Sequence, residues 1–433
     1  MEEMVFQIGP IRPPSEANSL LLRVTINCPW NRCKFCMLYK KYDFHTRPVE
    51  DVKKDVDTMA ELRDRIKQYK TADGDWDIEA INRDYQTLTT DDQRWCYHMV
   101  FRWLTEGDSN SIFLQDANTM CLRPDWLAEI IRYVRVKLPE IKRITSYGRA
   151  NTLAKISAED YKMLKEAGLD RIHSGYESGS DKVLALIEKG CTQEEQIIGG
   201  RKVREAGIEL SIYFMPGVGG KELSDDNAIE TAKVINAVNP NFVRLRTFVL
   251  RTGSLMEEVR DAGGWTEDTD MNKLLEIRKL LANIDPSKAN GKITSDHIIN
   301  LLQEVNGQMD TDLPWMLEYI DSFLALPKLE QRKYQMARRM GFPLDWKQLW
   351  RMRESDQLII EDLAKNLVDE KEWEKKWFAG DVSGNNNSIW TGYSKRVKTY
   401  LFNKYDKKCA ICGWGKKNPY TNNIPLEIEH IDG

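Results

Sequence analysis

The sequence contains no long apolar run. Its mean hydropathy is −0.54, and no segment approaches the roughly 20 consecutive apolar residues that a membrane-spanning helix requires. Residues Met1–Gln7 also lack the basic and apolar regions of a secretory signal peptide. We therefore expect a cytoplasmic protein with no membrane partner. In that reducing compartment, we do not expect the eight cysteines to form disulfides.

A strong excess of either charge sign is also missing. The formal net charge of −4 gives the whole chain no drive toward nucleic acid or an anionic membrane. Only the stretch Thr391–Gly433 is biased, with eight Lys and Arg against four Asp and Glu. A basic patch could contact nucleic acid there, although a solvated face is the commoner meaning of such a bias.

Short β-rich runs alternate with helical patterns between Ser19 and Leu250. The candidate strands are Leu20–Ile26, Ser111–Leu114, Arg143–Ser146, Arg171–Ser174, Glu209–Phe214 and Phe242–Phe248. Capping boxes begin helices at Ser157 and Thr192, and Gly168 and Gly207 are placed to end helices before the next strand. This alternation predicts an α/β fold with a parallel sheet, which curvature could make a partial barrel. In such folds the loops after the strands carry the site.

The remaining chain divides by composition. From Asp270 to Arg339 the apolar residues, including Ile298 to Leu302, follow helical spacing and predict a helical cap on the sheet. Gly384–Ser388 is typical of a loop or linker. The predicted units are an N-terminal extension (1–18), a core (19–260), a helical cap (261–342), a charged and Trp-rich connector (343–390) and a C-terminal piece (391–433).

Three cysteines lie within nine residues, directly after the first candidate strand. Cys28, Cys33 and Cys36 could bind three irons of a 4Fe-4S cluster and leave the fourth iron open to a small molecule. A zinc knuckle is the alternative, but zinc usually takes a fourth Cys or His nearby. The nearest downstream candidate, His45, lies in a charged stretch. The spacing therefore favours a reactive iron–sulfur cluster.

A strand, a cysteine-rich loop with Phe35 before its last cysteine, and a helix resemble the opening of the radical SAM superfamily. The family's usual spacing is three residues and then two, whereas this chain has four and then two. One extra loop residue costs little closure entropy. The resemblance covers residues 10–340 and is to a subgroup within the broad assemblage that includes methylthiotransferases.

The resemblance implies a radical SAM partial (β/α)6 barrel with a helical C-terminal extension. It implies an enzyme that binds a 4Fe-4S cluster and S-adenosylmethionine (SAM) and cleaves SAM reductively to a 5′-deoxyadenosyl radical, which abstracts hydrogen from a substrate of unknown identity. It also implies an electron donor such as flavodoxin or ferredoxin. Cys96, Cys121 and Cys191 are isolated, and no auxiliary cluster or cobalamin-binding segment is evident.

The same resemblance implies four SAM contacts. Asp116, after the second strand, is placed to bind the ammonium group, although an Asp that turns the chain is the alternative. Glu177 matches a residue that faces the ribose hydroxyls. Lys189 matches a residue that faces the carboxylate, with a solvated lysine at a helix C-terminus as the alternative. Tyr213, with the segment 215–220, matches the part that packs on the adenine.

The C-terminal piece resembles the first half of an HNH nuclease. Cys409 and Cys412 match a zinc-binding pair, which would make Zn²⁺ a further cofactor. His430 matches the general base, and Glu429 matches an adjacent ligand of a divalent metal. The second cysteine pair and the later Asn and His of that pattern are absent. We therefore expect a truncated, zinc/ββα-type piece, with an inactive metal-dependent nuclease or nucleic-acid binder as the alternative function.

Overall fold

The structure is a computed structural model that describes residues 4–40, 43–106, 110–339 and 345–366. The predicted linker and the C-terminal piece 391–433 lie outside the described residues. Of the predicted connector, a 3₁₀ helix (Trp346–Arg351) and one α-helix are described.

Within these described ranges, ten strands form an eight-stranded sheet and a separate two-stranded ladder. They are β1 (Leu20–Arg23), β2 (Thr25–Ile26), β3 (His45–Thr46), β4 (Ser111–Gln115), β5 (Arg143–Tyr147), β6 (Arg171–Glu177), β7 (Glu209–Phe214), β8 (Phe242–Leu245), β9 (Lys292–Thr294) and β10 (Gly307–Gln308). The large sheet has the order β1-β4-β5-β6-β7-β8-β9-β10, and β2 pairs with β3.

Every neighbouring pair in the large sheet is parallel except β9 and β10. Leu20, Leu21 and Leu22 are all buried, as expected when helices or other chain segments cover both faces of a parallel sheet. All six predicted strands are present, and the predicted α/β fold with a parallel sheet is confirmed. The first predicted strand is interrupted at Val24, so that its end pairs separately as β2.

The segment between Asp270 and Arg339, predicted to be a helical cap, contains three helices and also two short strands. β9 and β10 extend the sheet within it, and the apolar residues 298–302 form irregular structure. Within that segment Asn300 donates to the Leu245 carbonyl at 2.8 Å and its side-chain oxygen accepts from Thr247. This tertiary bonding at the end of β8 overrides the local helical pattern.

Fourteen α-helices connect or flank the strands in the described part of the chain. They are α1 (Val49–Lys67), α2 (Ile78–Gln86), α3 (Asp91–Thr105), α4 (Pro124–Lys137), α5 (Ala150–Lys155), α6 (Ala158–Ala167), α7 (Asp181–Leu186), α8 (Gln193–Glu205), α9 (Ser224–Val238), α10 (Leu255–Asp261), α11 (Asp270–Ala282), α12 (Leu313–Leu324), α13 (Lys328–Arg339) and α14 (Glu354–Asn366). Among them, none is both long and apolar enough to cross a bilayer.

The predicted helix ends are largely confirmed. Thr192 and Glu195 form a reciprocal capping box at the start of α8, and the Ser157 side chain accepts from the Asp160 N–H at the start of α6. Gly168 ends α6 in the left-handed region, with φ of 112°. These caps fix where each helix turns back toward the sheet.

The sheet is curved, with a concave inner face. Phe113 on β4 and His173 on β6 are separated by β5, yet their ring centroids are 6.1 Å apart. Strands two positions apart in a flat sheet are about 9.5 Å apart, so the side chains converge. Tyr147 on β5 and Tyr213 on β7 also contact His173. These four aromatic residues define the inner face.

Glu16 closes the inner face at the amino ends of the strands. It is fully buried on a 3₁₀ helix (Pro14–Glu16). Its carboxylate is 3.1 Å from His173 Nε2, 3.2 Å from Arg143 and 2.6 Å from the Ser19 hydroxyl, which donates to it. Burial raises the pKa of Glu16. The hydrogen bond from His173 and the positive charges of His173 and Arg143 outweigh this effect, so the net pKa of Glu16 is lowered. The amino end of the inner face is thus a buried ionic network.

We predict that the burial of His173 makes stability fall with acid. Burial lowers the pKa of His173 from 6.5 to about 4. The unfolded chain therefore binds more protons between those values, and stability rises with pH across that window. The loss from pH 6.5 to 4 should be on the order of 3 kcal/mol. Urea denaturation at several pH values should show it, with a shallower slope for His173→Gln. An unchanged slope in that variant, or an equal effect of His98→Gln on the exposed face of α3, would contradict the assignment.

Candidate functional site

The three cysteines lie on a loop at the carboxyl edge of the sheet. The loop leaves β2 through Asn27, whose φ of 67° lies in the left-handed region, a conformation that asparagine tolerates better than most residues. The Asn27 N–H donates to Asp116, and its side-chain amide donates to the Asp43 carbonyl at 2.9 Å. These bonds set the direction in which the loop departs.

Asp116 holds this loop against the sheet. Its side chain is fully buried and accepts from Arg23 at 3.0 Å, from the Asn27 N–H at 3.2 Å and from the Tyr39 hydroxyl at 2.5 Å. Burial raises the pKa of Asp116 even though all three donors oppose the rise. Both carboxylate oxygens are thus already engaged. Its contact with a SAM ammonium stays a prediction, and the geometry assigns Asp116 a positioning role.

The loop brings its three thiols into electrostatic contact. All three are free; Cys33 is buried, and Cys28 and Cys36 are partly exposed. Burial raises the pKa of Cys33, and the two neighbouring thiols add to this rise. Burial, with Cys28, likewise raises the pKa of Cys36. The donor set is therefore three convergent sulfurs that interact with one another.

The thiols do not form a site for one metal ion. Among the described residues, no three His, Cys, Asp or Glu side chains are grouped closely enough to hold a single ion. Zinc would need every sulfur about 2.3 Å from one centre. In a cluster each thiolate can bind a different iron, so a more widely spaced set of ligands suits it. Three free thiols on one loop supply the thiolate ligands that such a cluster takes.

Two cations lie beside the thiols. Lys189 and Arg149 both act to lower the pKa of Cys33, against the larger effect of burial. Thiolates are the form that binds metal, so these cations favour the ligating state. Sequence reasoning missed Arg149. It follows β5 at a strand end, and that position is the signal that could have identified it.

A buried ion pair joins Lys189 and Glu177, which are two of the predicted SAM contacts. Lys189 Nζ is 2.9 Å from Glu177 Oε1, and both side chains are at most 10% exposed. Burial lowers the pKa of Lys189, but Glu177 and Cys33 outweigh it and raise the pKa. Gly175 makes room for the pair, because a Cβ there would lie 2.2 Å from Glu177 Oε1. Glu177 itself has φ of 62°, a strained conformation of the kind found at functional sites.

Trp30 docks the cysteine loop on the turn between α7 and α8. Its Nε1 donates to the Glu188 carbonyl at 2.8 Å, and the Arg149 guanidinium lies 5.1 Å from the ring centroid. Gly190 is required beneath the ring, because a Cβ there would lie 2.3 Å from a ring carbon. Arg149 also donates to the Lys189 carbonyl. Trp30 thus connects the turn that carries Lys189 to the loop that carries the thiols, through its hydrogen bond to Glu188.

Unpartnered polar atoms line the inner face. Among the described residues, the buried Tyr213 hydroxyl has no hydrogen-bond partner. The same holds for the side-chain oxygens of Thr145 and Thr294, on β5 and β9. Their strand positions place both threonines on the same side as Tyr147 and Tyr213. Buried polar atoms without partners are rare, so a polar ligand or water would satisfy them.

The glycine-rich segment after β7 rests on a buried carboxylate that sequence reasoning missed. Glu276 on α11 accepts from the Gly217 N–H at 3.0 Å, and from Ser224 and Asn227, each at 2.6 Å. Burial raises the pKa of Glu276 to about 7. Glu276 is remote in sequence and lay in the region predicted as a helical cap, so no local signal pointed to it. It fixes the predicted adenine-binding segment 215–220.

The C-terminal candidates cannot be placed. Cys409, Cys412, Glu429 and His430 lie outside the described residues. None of the similar proteins named below is an HNH nuclease.

Residues 100–232 match the model of the Radical SAM superfamily. These residues include Asp116, Glu177, Lys189 and Tyr213 but not the cysteine loop. The heme chaperone HemW of Bacillus subtilis (strain 168) is 26% identical over 134 residues, which are 30% of this chain and 35% of the relative. The match thus spans about a third of the curated relative.

Two solved structures are distant neighbours of this chain. One is the methyltransferase TsrM from Kitasatospora setae with cobalamin and a [4Fe-4S] cluster bound, which has a TM-score of 0.41 at 15% sequence identity. The alignment includes 81% of this chain and 61% of the TsrM chain. The archaeal Methanocaldococcus infernus Elp3 has a TM-score of 0.36 at 14% identity and covers 50% of this chain and 55% of its own.

We predict that Gly190→Ala loosens the cysteine loop. The new methyl group would collide with the Trp30 ring, so unfolding free energy should fall by about 1–3 kcal/mol, and less iron should be retained after anaerobic reconstitution. Gly207→Ala is the matched control, since Gly207 also has positive φ (73°) but a Cβ there would meet nothing within 4 Å. Urea denaturation and iron analysis would measure both effects. Equal behaviour of the two variants would show that backbone strain, not the Trp30 contact, is responsible.

Proposed function

We propose that this chain, which contains a radical SAM superfamily domain, is an enzyme that binds a 4Fe-4S cluster through Cys28, Cys33 and Cys36 and cleaves SAM reductively. The observation that carries this proposal is the convergence of three free thiols beside a buried Lys189–Glu177 ion pair. A structural metal site would need the thiols but not the adjacent pair. Lys189 supplies a cation for the cofactor's carboxylate, and Glu177 supplies acceptor oxygens for its ribose hydroxyls.

The cluster, when bound, would supply the electron that cleaves the sulfonium S–C5′ bond, giving methionine and a 5′-deoxyadenosyl radical. Lys189 would bind the cofactor carboxylate, because its ammonium is buried and stays charged. Glu177 would accept from the two ribose hydroxyls. The partnerless Tyr213 hydroxyl, on the inner face, would meet the adenine or the substrate.

The chain's own residues would also keep the reaction away from water. The amino end of the inner face is closed by the Glu16 network, and the aromatic side chains of Phe113, Tyr147 and Tyr213 cover its wall. A radical generated at the carboxyl edge would therefore face a sheltered surface. Flavodoxin or ferredoxin as electron donor and a cytoplasmic location belong to the same proposal.

We predict that each of Cys28→Ala, Cys33→Ala and Cys36→Ala prevents assembly of the reactive cluster. Anaerobic reconstitution of the wild-type chain should give about four irons per chain, and reductant plus SAM should release 5′-deoxyadenosine. The three variants should hold far less iron and release no 5′-deoxyadenosine. Iron analysis, electron paramagnetic resonance and chromatography of the products would measure this.

Cys96→Ala is the control for that experiment, because Cys96 is a buried free thiol that bonds to Phe6 on another part of the fold. It should retain both iron and cleavage. A wild-type chain that holds iron yet never cleaves SAM would refute the enzymatic proposal.

We also predict that Lys189→Gln weakens SAM binding by about ten- to a hundredfold, the range for losing a charge-assisted hydrogen bond. Equilibrium dialysis with SAM on the reconstituted chain would measure it. The double variant Glu177→Gln with Lys189→Gln avoids leaving a buried carboxylate unpaired and should bind SAM weakly as well. Lys182→Gln, an exposed lysine of α7 paired with Asp226, should bind SAM normally. Normal binding by both Lys189 variants would exclude that contact.

A further inference from the structure

Two arginines, Arg246 and Arg251, lie at the carboxyl edge of the inner face. The Arg246 N–H donates to the Phe214 carbonyl at 2.9 Å, which continues the alignment of β8 with β7 by one residue. Arg244 lies on the inner face, because its Nε donates to Ser211 at 3.0 Å. Residues two apart along a strand share a face, so Arg246 is on the same side as Arg244, one step nearer the edge. Arg251 follows in the loop after β8.

The segment after β8 lies against the cysteine loop, because the Met256 N–H donates to the Lys34 carbonyl at 3.3 Å and a Cβ on Gly253 would lie 3.6 Å from the Met37 side chain. Burial raises the pKa of Tyr147 and of Tyr213, and Arg246 opposes the rise at both phenols. Arg251 is exposed as a residue, but partial burial of its guanidinium lowers its pKa, and repulsion by Arg246 adds to this effect. Arg246 is therefore near the two tyrosines and near Arg251.

The two guanidinium groups have no acidic partner. Within the part of the chain that the structure describes, neither side chain forms an ion pair or a hydrogen bond to another residue. Asp296, which also acts on Tyr213, is paired with Arg244 at 3.1 Å. Arg246 and Arg251 therefore repel each other at the exposed edge of the site, and Asp296 does not neutralise them because it is paired with Arg244. Such a pair of cations would attract an anion.

His297 adds a third donor. Burial lowers the pKa of His297 to about 4, and both Arg246 and Arg251 add to this fall, so the ring is neutral at pH 7. Its Nδ1 accepts from the Ile299 N–H at 3.3 Å. A neutral ring with an occupied Nδ1 carries its hydrogen on Nε2, which can donate to a ligand.

We propose that Arg246 and Arg251, with His297, bind an oxyanion group of the substrate, either a carboxylate or a phosphate. Calling the ligand the substrate rests on the proposed function. Guanidinium groups match both oxyanions with paired N–H donors. Lys189 is already assigned to the carboxylate of SAM, which leaves the arginine pair for a second anion. The bond from the Met256 N–H to the Lys34 carbonyl holds the segment after Arg251 against the cysteine loop, which places that anion beside the site of radical formation.

The test is anion binding by the full chain, measured by isothermal titration calorimetry at constant ionic strength. The two probes are inorganic phosphate and succinate. Arg246→Gln with Arg251→Gln should weaken binding of the preferred probe by about ten- to a hundredfold. Because both side chains are exposed and without partners, the double variant should unfold at the wild-type urea concentration. Arg132→Gln with Lys155→Gln removes the same charge from exposed positions on α4 and α5 and should change binding less than twofold.

Each outcome separates the possibilities. Preference for phosphate identifies a phosphorylated substrate, and preference for succinate identifies a carboxylate; either supports the site. Binding of neither probe by the wild type, or equal binding by the arginine variant, overturns it. Weakened SAM binding in the arginine variant would instead assign the pair to the cofactor and would also overturn it. Lack of 5′-deoxyadenosine release by a wild type that binds the probe refutes the proposed function but leaves the anion site standing.

Discussion

The candidate site depends on one buried carboxylate. Asp116 accepts from Arg23 on β1, from the backbone of Asn27 where the cysteine loop begins, and from Tyr39 after the loop ends. A buried carboxylate is costly without such donors, so releasing the loop would leave it unsatisfied. The bonds from Asn27 and Tyr39 therefore fix both ends of the cysteine loop, while the bond from Arg23 ties Asp116 to β1. The placement of the thiols at the carboxyl edge depends on this anchor.

Around the anchor the charges are arranged unevenly. Lys189 and Arg149 act on Cys33, and Lys189 and Lys40 act on Cys36. Burial opposes ionisation of the thiols, and these cations reduce that cost. The Glu177 carboxylate is paired with Lys189. The site is thus suited to ligands that bring negative charge, which is consistent with thiolate–iron coordination and with carboxylate recognition.

The six long strands could be predicted because their β-branched and apolar runs are followed by clear turn signals, and because Thr192 and Gly168 mark helix ends locally. β9 and β10 could not, since strands of three and two residues leave no periodicity to detect. The sequence located Asp116 and Glu177 at strand ends, but it could not show that Arg23 and Tyr39 already saturate Asp116. Arg149 and Glu276 were missed for a related reason: their roles depend on contacts 40 or more residues away. Sequence patterns thus identify where a site lies, while its charge balance is set by tertiary contacts.

The closure at Glu16 has a consequence for the order of events. Because its network with His173 and Arg143 fills the amino end of the inner face, the carboxyl edge is the side from which a ligand would approach Tyr213. A ligand that enters from that edge passes Arg246 before it reaches Tyr213, because Arg246 lies one step nearer the edge on the same face.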